Sequence, residues 1–286
     1  MADVPEPVRA DGEVVVEVAA YSVNRGETFL LEDPAPGWRP GKDVAGRVTV
    51  GNGLAPGTSV VCHVPAFGWA ERVVVAATHA VPLPTAVDVV TAAALPLAGL
   101  TAYRLLRKVG ALPGRSLLVT GASGGVGHYL TELATAAGAR VTAVCATEER
   151  GARLRELGAD VVTDLDEAPG RYDVVLESVG GDNFVRARRK AGPDGTVIWF
   201  GQAGRQTVTL DFFDWIDGTV GAPIIPFHYV DTPAQDAHDL ASLVRLVADG
   251  HLHPEIGTTR PWTETAQTID DLRTRRLRGN AVLTLA

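Results

Sequence analysis

The chain has 286 residues, of which 46% are hydrophobic and 21% are charged, and its formal net charge is −8. This composition is typical of a globular enzyme with one large or two medium domains, and the acidic charge argues against a general nucleic-acid or membrane-surface binder. No apolar run reaches the ~18 residues of a membrane span, so we expect no membrane partner. The first residues lack the features of a signal peptide, and Cys62 and Cys145 cannot form a disulfide framework. We therefore expect a cytoplasmic location.

The first part of the chain is predicted to form short strands joined by turns. Apolar or alternating segments indicate strands at residues 14–20, 44–50, 59–63 and 70–76, separated by turn signals such as Pro56-Gly57. This region shows little of the spacing of an amphipathic helix. The pattern is typical of a compact antiparallel β-barrel.

From Asp88 onward, strands and helices alternate. Helices are predicted at 89–109 (interrupted by Pro96 and Gly99), 126–137, 149–157, 182–191, 237–249 and 264–276. Strands are predicted at 116–119, 140–146, 160–163, 172–179, 196–201, 222–229 and 281–285, and the prolines in 222–229 suit an edge strand. This alternation predicts an α/β fold with a doubly wound parallel sheet.

The strand at 116–119 runs into a glycine-rich turn, Gly121-Ala122-Ser123-Gly124-Gly125-Val126-Gly127. Gly121 allows a tight turn, and Gly124 and Gly125 let a pyrophosphate approach the backbone. Gly127 lets the next helix pack closely on the sheet, and the N–H groups around Ser123 and Val126 face the phosphate. A glycine-rich turn without a ligand is the alternative. The strand–turn–helix context, followed by a strand at 140–146, favours dinucleotide binding.

Several segments, in their order and spacing, carry a resemblance to a known family. They are Ser22-Val23-Asn24-Arg25-Gly26-Glu27, Gly41-Lys42-Asp43-Val44-Ala45-Gly46, Thr101-Ala102-Tyr103, the glycine turn, Glu177-Ser178-Val179-Gly180-Gly181 and Arg278-Gly279-Asn280-Ala281-Val282-Leu283. Together they resemble the medium-chain dehydrogenase/reductase superfamily and, within it, the zinc-free quinone oxidoreductase branch that includes zeta-crystallin. The resemblance implies that residues 1–97 and 253–286 form a GroES-like catalytic domain and that residues 98–252 form a Rossmann domain. Family members usually begin with a strand or two ahead of the segment 14–20, so we expect either that the catalytic domain is N-terminally trimmed or that the start codon is misassigned. It also implies NADPH-dependent reduction of quinones or α,β-unsaturated carbonyls, and a homodimer paired through the edge strand at 222–229.

The residues argue against zinc. Zinc dehydrogenases of this superfamily place a cysteine near the position of Asn24 and a Gly-His-Glu where this chain has Gly41-Lys42-Asp43. Two cysteines cannot supply that site or a four-cysteine structural site, and His251-Leu252-His253 lacks further ligands. We therefore expect no metal. Hydride transfer then needs an acceptor that is already electrophilic, because the oxyanion developing on a quinone or an enone needs only hydrogen-bond donors.

Three side chains are candidates to provide those donors. Asn24 matches the family asparagine near the nicotinamide, and its amide can offer an N–H. Phe29 stands where many relatives carry a tyrosine, so His63 or the Tyr229 that follows His228 is a candidate replacement donor. The alternatives are a turn asparagine at 24 and hydrogen-bonded core groups at 63 and 229.

The candidate cofactor residues form two groups: those that line the binding crevice and those that bind the 2′-phosphate of NADPH. Thr101 matches the helix under the nicotinamide end, and Val179, Gly180 and Gly201 follow strand ends that should line the cofactor crevice. Arg150 matches the basic residue that binds the 2′-phosphate in the family, and Arg275 matches a second one.

The choice between NADPH and NADH depends on the end of the second strand. NADPH is favoured, because a 2′-phosphate needs an arginine near a neutral strand end. NADH remains the alternative, because Glu148 would act as the ribose carboxylate if the strand ran a residue or two longer. Two other functions stay open: a cofactor-binding scaffold without turnover, and a biosynthetic tailoring enzyme of the same fold.

Overall fold

The computed structural model describes residues 3–51, 53–213, 221–229 and 235–285. The chain divides into two compact units. Unit 1 comprises Met1–Leu100 and Thr232–Ala286, and unit 2 comprises Thr101–Asp231.

The described residues form the following elements. The strands are β1 Glu13–Ser22, β2 Asp43–Gly51, β3 Ser59–His63, β4 Arg72–Ala76, β5 Val81–Pro82, β6 Ser116–Val119, β7 Arg140–Val144, β8 Asp160–Val162, β9 Tyr172–Glu177, β10 Ala191–Trp199, β11 Ile224–Pro226, β12 Ile256–Pro261 and β13 Asn280–Thr284. The α-helices are α1 Arg25–Leu30, α2 Val89–Ala93, α3 Pro96–Val109, α4 Gly125–Ala136, α5 Glu148–Glu156, α6 Gly181–Arg188, α7 Asp236–Ala248 and α8 Thr265–Arg273.

Unit 1 is built on a mostly antiparallel sheet. Its order within the described residues is β12-β13-β1-β2-β3-β5, β4 pairs with β1, and only the β12–β13 pair is parallel. Alternate side chains of β1, from Val14 to Val18, are buried, as the period of a strand requires when one face covers a core. The predicted strands in this part of the chain are confirmed. The strand β12 and the short helix α1 were not predicted.

Unit 2 is a doubly wound parallel sheet, as predicted. Its order within the described residues is β11-β10-β9-β6-β7-β8, and every pair is parallel. Leu117, Leu118 and Val119 of β6 are fully buried at its centre. The chain proceeds from β6 to β7 and β8 on one side and from β9 to β10 and β11 on the other. The strand order therefore reverses between β6 and β9, and a ligand is expected at the carboxyl ends of those strands.

The edge strand predicted at 222–229 is shorter than expected: only Ile224–Pro226 pairs with β10. Prolines cannot donate to a ladder, and the flanking hydrogen bonds use the carbonyl of Pro223 and the N–H of Phe227. In the predicted helical stretch at 89–109, Pro96 begins α3. Gly99 lies inside that helix, where a Cβ would lie 3.0 Å from Leu243 Cδ1.

The division into units differs from the predicted domain boundaries, which lay at 97/98 and 252/253. Helix α7 belongs to unit 1, since it packs against β3 and β5 and buries Leu240, Leu243 and Val244. The apolar face of this helix is readable from the sequence, but the sheet that covers it is not. Among the described residues, no helix combines the length and apolar character that crossing a membrane requires.

The tight packing of α4 gives a stability prediction. A Cβ on Gly127 would lie 2.2 Å from the carbonyl oxygen of Ala122, so Gly127→Ala should lower the free energy of unfolding by about 1–3 kcal/mol. Gly26→Ala in α1 is the control, because a Cβ there meets no atom within 4 Å and alanine favours a helix. Chemical denaturation followed by circular dichroism measures both changes. Equal stabilities of the two variants would contradict the prediction.

Candidate functional site

The glycine turn lies where the parallel sheet of unit 2 opens. Strand β6 ends at Val119, the turn follows, and Gly124 is the N-cap of the 12-residue helix α4. The N–H groups of the first turn of a helix carry partial positive charge and attract an anion. The structure thus brings together the predicted phosphate-binding residues Gly121, Ser123, Gly124, Gly125, Val126 and Gly127.

Two glycines of this turn have separate physical reasons. Gly121 has a φ of +60°, which side chains rarely adopt, and a Cβ there would lie 2.9 Å from Ser178 Oγ. Gly127 lacks room for a Cβ because the backbone of Ala122 lies against it. The first glycine sets the turn and the second sets the approach of the helix to the sheet.

Arg150 lies beside this turn. It sits in the first turn of α5, whose N-cap Thr147 accepts a hydrogen bond from the Arg150 N–H, and its Nε donates to Ser123 Oγ at 3.1 Å. Strand β7 ends at Val144, so Glu148 begins the helix and does not continue the strand, and its carboxylate pairs with Arg155. This arrangement favours a 2′-phosphate at Arg150 over a ribose hydroxyl at Glu148.

The turn after β9 reaches the same edge of the sheet. Gly180 has a φ of +81° and caps α6, and the backbone of Val179 and Gly180 is held by the buried carboxylate of Glu177. Gly201 follows β10, and a Cβ there would lie 3.1 Å from the carbonyl oxygen of Ser178. Gly201 therefore lies against the turn that contains Val179 and Gly180. That these three residues line a cofactor crevice stays a prediction.

Glu177 was not predicted as a site residue. It is completely buried, and its Oε1 accepts hydrogen bonds from the N–H of Val179 at 2.8 Å and from Thr120 Oγ1 at 3.1 Å. Burial raises the pKa of this carboxyl, while the donors oppose the rise. The available sequence signal was a carboxylate ending an otherwise buried strand.

Other predicted residues lie elsewhere. Thr101 is buried in α3, and Tyr229 of unit 2 accepts a hydrogen bond from Arg104 Nη1 at its carbonyl oxygen, at 2.7 Å. The Tyr229 ring lies 5.6 Å from that of His228. Arg275 lies in unit 1 after α8, with a φ of +60°. The roles predicted for these residues stay predictions.

In unit 1, Asn24 lies between β1 and α1 at a cluster of buried acids. Its Nδ2 donates to Asp43 Oδ2 at 2.7 Å, to Glu27 Oε2 at 3.2 Å and to Ser22 Oγ at 3.2 Å. We expected this amide to offer an N–H to a substrate. Its donors are directed at the two carboxylates instead, so a direct catalytic contact stays a prediction.

We call Ser22, Asn24, Glu27 and Asp43 the acid cluster. Its two carboxylates, those of Glu27 and Asp43, are almost fully buried. Gly41 donates its N–H to Glu27 Oε1 at 2.8 Å, and Leu97 donates its N–H to Asp43 Oδ1 at 2.9 Å. Burial, together with the nearby Asp43, raises the pKa of Glu27 to about 7, although the N–H donors oppose the rise. Burial also raises the pKa of Asp43.

His63 ends β3 opposite Asp43 in the sheet register. Its Nδ1 lies 2.7 Å from Asp236 Oδ2, at the start of α7, and both side chains are largely buried. Asp236 was not predicted, because the two residues are 173 positions apart in the chain. Among the described residues, no three His, Cys, Asp or Glu side chains form a group that could hold a metal ion.

Known proteins are similar to this chain in sequence and in fold. A family profile described as zinc-binding dehydrogenase matches residues 155–283. The chloroplast envelope quinone oxidoreductase homolog of Arabidopsis thaliana is 35% identical, over 68% of this chain and 68% of that protein. The quinone oxidoreductase of Rattus norvegicus is 28% identical, over 94% of this chain and 88% of that protein. The structure of Escherichia coli quinone oxidoreductase complexed with NADPH has a TM-score of 0.85 at 24% identity, over 98% of this chain and 94% of that chain.

The acid cluster predicts a pH-dependent stability. The pKa of Glu27 is raised from 4.5 to about 7, so the folded state holds this proton where the unfolded state has released it. Its contribution of about 3 kcal/mol to the free energy of unfolding is therefore present below pH 4.5 and lost as pH rises to about 7. Urea denaturation across this range should show a smaller fall for Glu27→Gln than for wild type.

Glu32→Gln is the matched control, because Glu32 lies just beyond the same helix and is exposed. It should keep the fall in stability seen in wild type. The assignment to Glu27 is wrong when Glu27→Gln and wild type lose stability in parallel.

Proposed function

The chain belongs to the quinone oxidoreductase branch of the medium-chain dehydrogenase/reductase superfamily, and from this membership we propose that it is an NADPH-dependent reductase of quinones or α,β-unsaturated carbonyl compounds. The observation that carries the proposal is the hydrogen bond between Arg150 and Ser123, which holds a guanidinium beside the glycine turn. A guanidinium there suits a phosphate monoester and gives a neutral ribose no advantage.

The residues of unit 2 fit this cofactor. The start of α4 offers N–H groups to the pyrophosphate, the room at Gly124 and Gly125 lets it approach, and Arg150 binds the 2′-phosphate. Val179, Gly180 and Gly201 line the rest of the site, with Thr101 as a further proposed contact. Arg275, which belongs to unit 1, keeps its predicted role as a second basic residue for the phosphate. When bound, NADPH supplies a hydride to an electrophilic carbon.

The acceptor needs a donor near its developing negative oxygen. We assign this role to His63 or Tyr229. The hydrogen bond from His63 to Asp236 supports the first, because it fixes the orientation of the imidazole, as a proton donor requires. Asn24 is given an organising role, since its amide hydrogens face Glu27 and Asp43.

The described residues do not fit the zinc named in the family profile. Asn24 and Lys42 occupy the positions at which zinc dehydrogenases carry cysteine and histidine. Burial raises the pKa of Cys62 to about 12 and that of Cys145 to about 11. Within the part of the chain that the structure describes, neither sulfur belongs to a group of three His, Cys, Asp or Glu side chains that could hold zinc. We therefore derive no step through a metal.

Assembly and location belong to the same proposal. A homodimer would pair through β11, which is the edge strand of the described parallel sheet. The small cysteine content supports a cytoplasmic location. The expected partners are small-molecule acceptors, with no nucleic acid and no membrane.

Cofactor choice is tested at Arg150. Arg150→Gln should weaken NADPH binding by about tenfold to a hundredfold and leave NADH binding nearly unchanged, because a charge-assisted hydrogen bond contributes about 1.5–3 kcal/mol. Arg153→Gln is the control, since Arg153 pairs with Glu156 in the same helix. Calorimetric titration of wild type and both variants gives the affinities.

Equal losses for both cofactors would contradict a 2′-phosphate contact. Turnover is measured separately, as loss of NADPH absorbance with a panel of quinones and enones. Tight NADPH binding without oxidation by any acceptor would support the cofactor-binding scaffold instead.

Metal independence is tested by removal. Prolonged dialysis against EDTA should leave the rate of NADPH oxidation unchanged, because the residues at the expected zinc positions are not zinc ligands. Elemental analysis of the purified protein should find far less than one zinc per chain. Loss of activity that is restored by added zinc would contradict this assignment.

A further inference from the structure

A fully buried carboxylate, Glu177, lies where the parallel sheet of unit 2 reverses its strand order. It is the last residue of β9, which pairs with β6 on one side and with β10 on the other. The glycine turn follows β6, and the Val179–Gly180 turn follows β9. Glu177 is therefore positioned between the two segments that border the cofactor crevice.

The groups that surround this carboxylate are donors. Oε1 accepts hydrogen bonds from the N–H of Val179 at 2.8 Å, from the N–H of Gly180 at 3.2 Å and from Thr120 Oγ1 at 3.1 Å. Oε2 accepts a second hydrogen bond from the Gly180 N–H, at 3.2 Å. These bonds hold the turn after β9 to the residue that precedes Gly121.

Ser178 completes this connection. Its N–H donates to Thr120 Oγ1 and its hydroxyl donates to the Thr120 carbonyl oxygen, both at 3.1 Å. A Cβ on Gly121 would lie 2.9 Å from Ser178 Oγ, so the two turns are in close packing contact. Thr120, Glu177 and Ser178 thus fix the position of one turn against the other.

The two turns serve different halves of the dinucleotide. Arg150 and Ser123 place the 2′-phosphate on the β7 side of β6. A dinucleotide that crosses the reversal point then extends its nicotinamide half over the β9 side. We propose that Glu177 is a positioning residue for that half: it touches no cofactor atom, and it holds the Val179–Gly180 turn where the nicotinamide half binds. This inference rests on the proposed NADPH-dependent function.

The chain offers a matched control on the same two strands. At the opposite edge of the sheet, Asp173 Oδ2 accepts hydrogen bonds from the Ser116 N–H at 2.7 Å and from Ser116 Oγ at 2.8 Å. This pair also links β9 to β6, but it lies at the amino ends of the strands, away from the crevice. The variant Asp173→Ala therefore shows the effect of weakening the β6–β9 pair without changing the turns at the crevice.

The experiment compares two ligands in the apo protein. Adenosine 2′,5′-bisphosphate reaches only the Arg150 side, whereas NADPH spans both turns. Glu177→Ala should weaken NADPH binding by about tenfold and change bisphosphate binding by less than about twofold. Glu177→Gln keeps one carbonyl oxygen as an acceptor and should recover most of the affinity. Asp173→Ala should lower the melting temperature and leave both affinities unchanged.

Each result supports or overturns the inference. Unchanged NADPH affinity in folded Glu177→Ala, or equal weakening of both ligands, would show a purely structural role. When Glu177→Ala fails to fold, Thr120→Val gives the same comparison, since it removes the hydroxyl that donates to Glu177 and accepts from Ser178. A wild-type protein that binds neither ligand overturns the proposed function itself, and the inference with it.

Discussion

The pairing of β6 with β9 is the constraint on which the cofactor site depends. Because the chain leaves these neighbouring strands in opposite directions, the segments that follow them diverge at the carboxyl edge of the sheet. The glycine turn and the Val179–Gly180 turn are those segments. Their relative position is set by backbone ladder bonds below and by the side chains of Thr120 and Glu177 at the edge. The relative position of the two turns that border the proposed cofactor site is therefore set by one strand pair.

Both units bury carboxylates among N–H and O–H donors. In unit 1, Glu27 and Asp43 are held by backbone N–H groups, the Asn24 amide and the Ser22 hydroxyl, and in unit 2 Glu177 is held by two N–H groups and a hydroxyl. Such donors must point at the oxygen they bind, so each carboxylate fixes the direction of several neighbouring groups. The raised pKa values are the electrostatic consequence of placing these charges in the interior. The same carboxylates fix the backbone turns on which the candidate site residues lie.

The sequence predicted those parts of the fold that depend on local pattern. The buried strand β6, the glycine turn and the alternation of strands and helices follow from hydrophobic period and from the conformational freedom of Gly121. Helix α1 was missed because six residues show too little periodicity. Strand β12 was missed because Ile256–Pro261 contains only one aliphatic side chain. A sequence shows whether a side chain is apolar or polar, but it does not show which distant group that side chain contacts.

The candidate site shows the same limit. The glycine turn was predicted because its pattern is local to one strand–turn–helix unit. Arg150 lies in the next helix, and its predicted role came from the family resemblance. The contacts of His63 with Asp236 and of Glu177 with Thr120 join residues far apart in the chain, so their partners required the fold. The direction of the Asn24 amide required it as well, because a turn asparagine and a catalytic asparagine have the same sequence signature.

The charges of α5 bear on the proposed binding of a phosphate by this acidic chain. The helix carries Glu148 and Glu149 in its first turn, and negative charge there would repel a 2′-phosphate. Arg155 pairs with Glu148 within the same helix and offsets the charge of Glu148. Arg153 pairs with Glu156 at the C-terminal end of α5. Arg150 instead reaches Ser123 in the glycine turn. The net charge of −8 is compatible with the proposed phosphate binding, because Arg150 and the start of α4 both place positive charge at the turn.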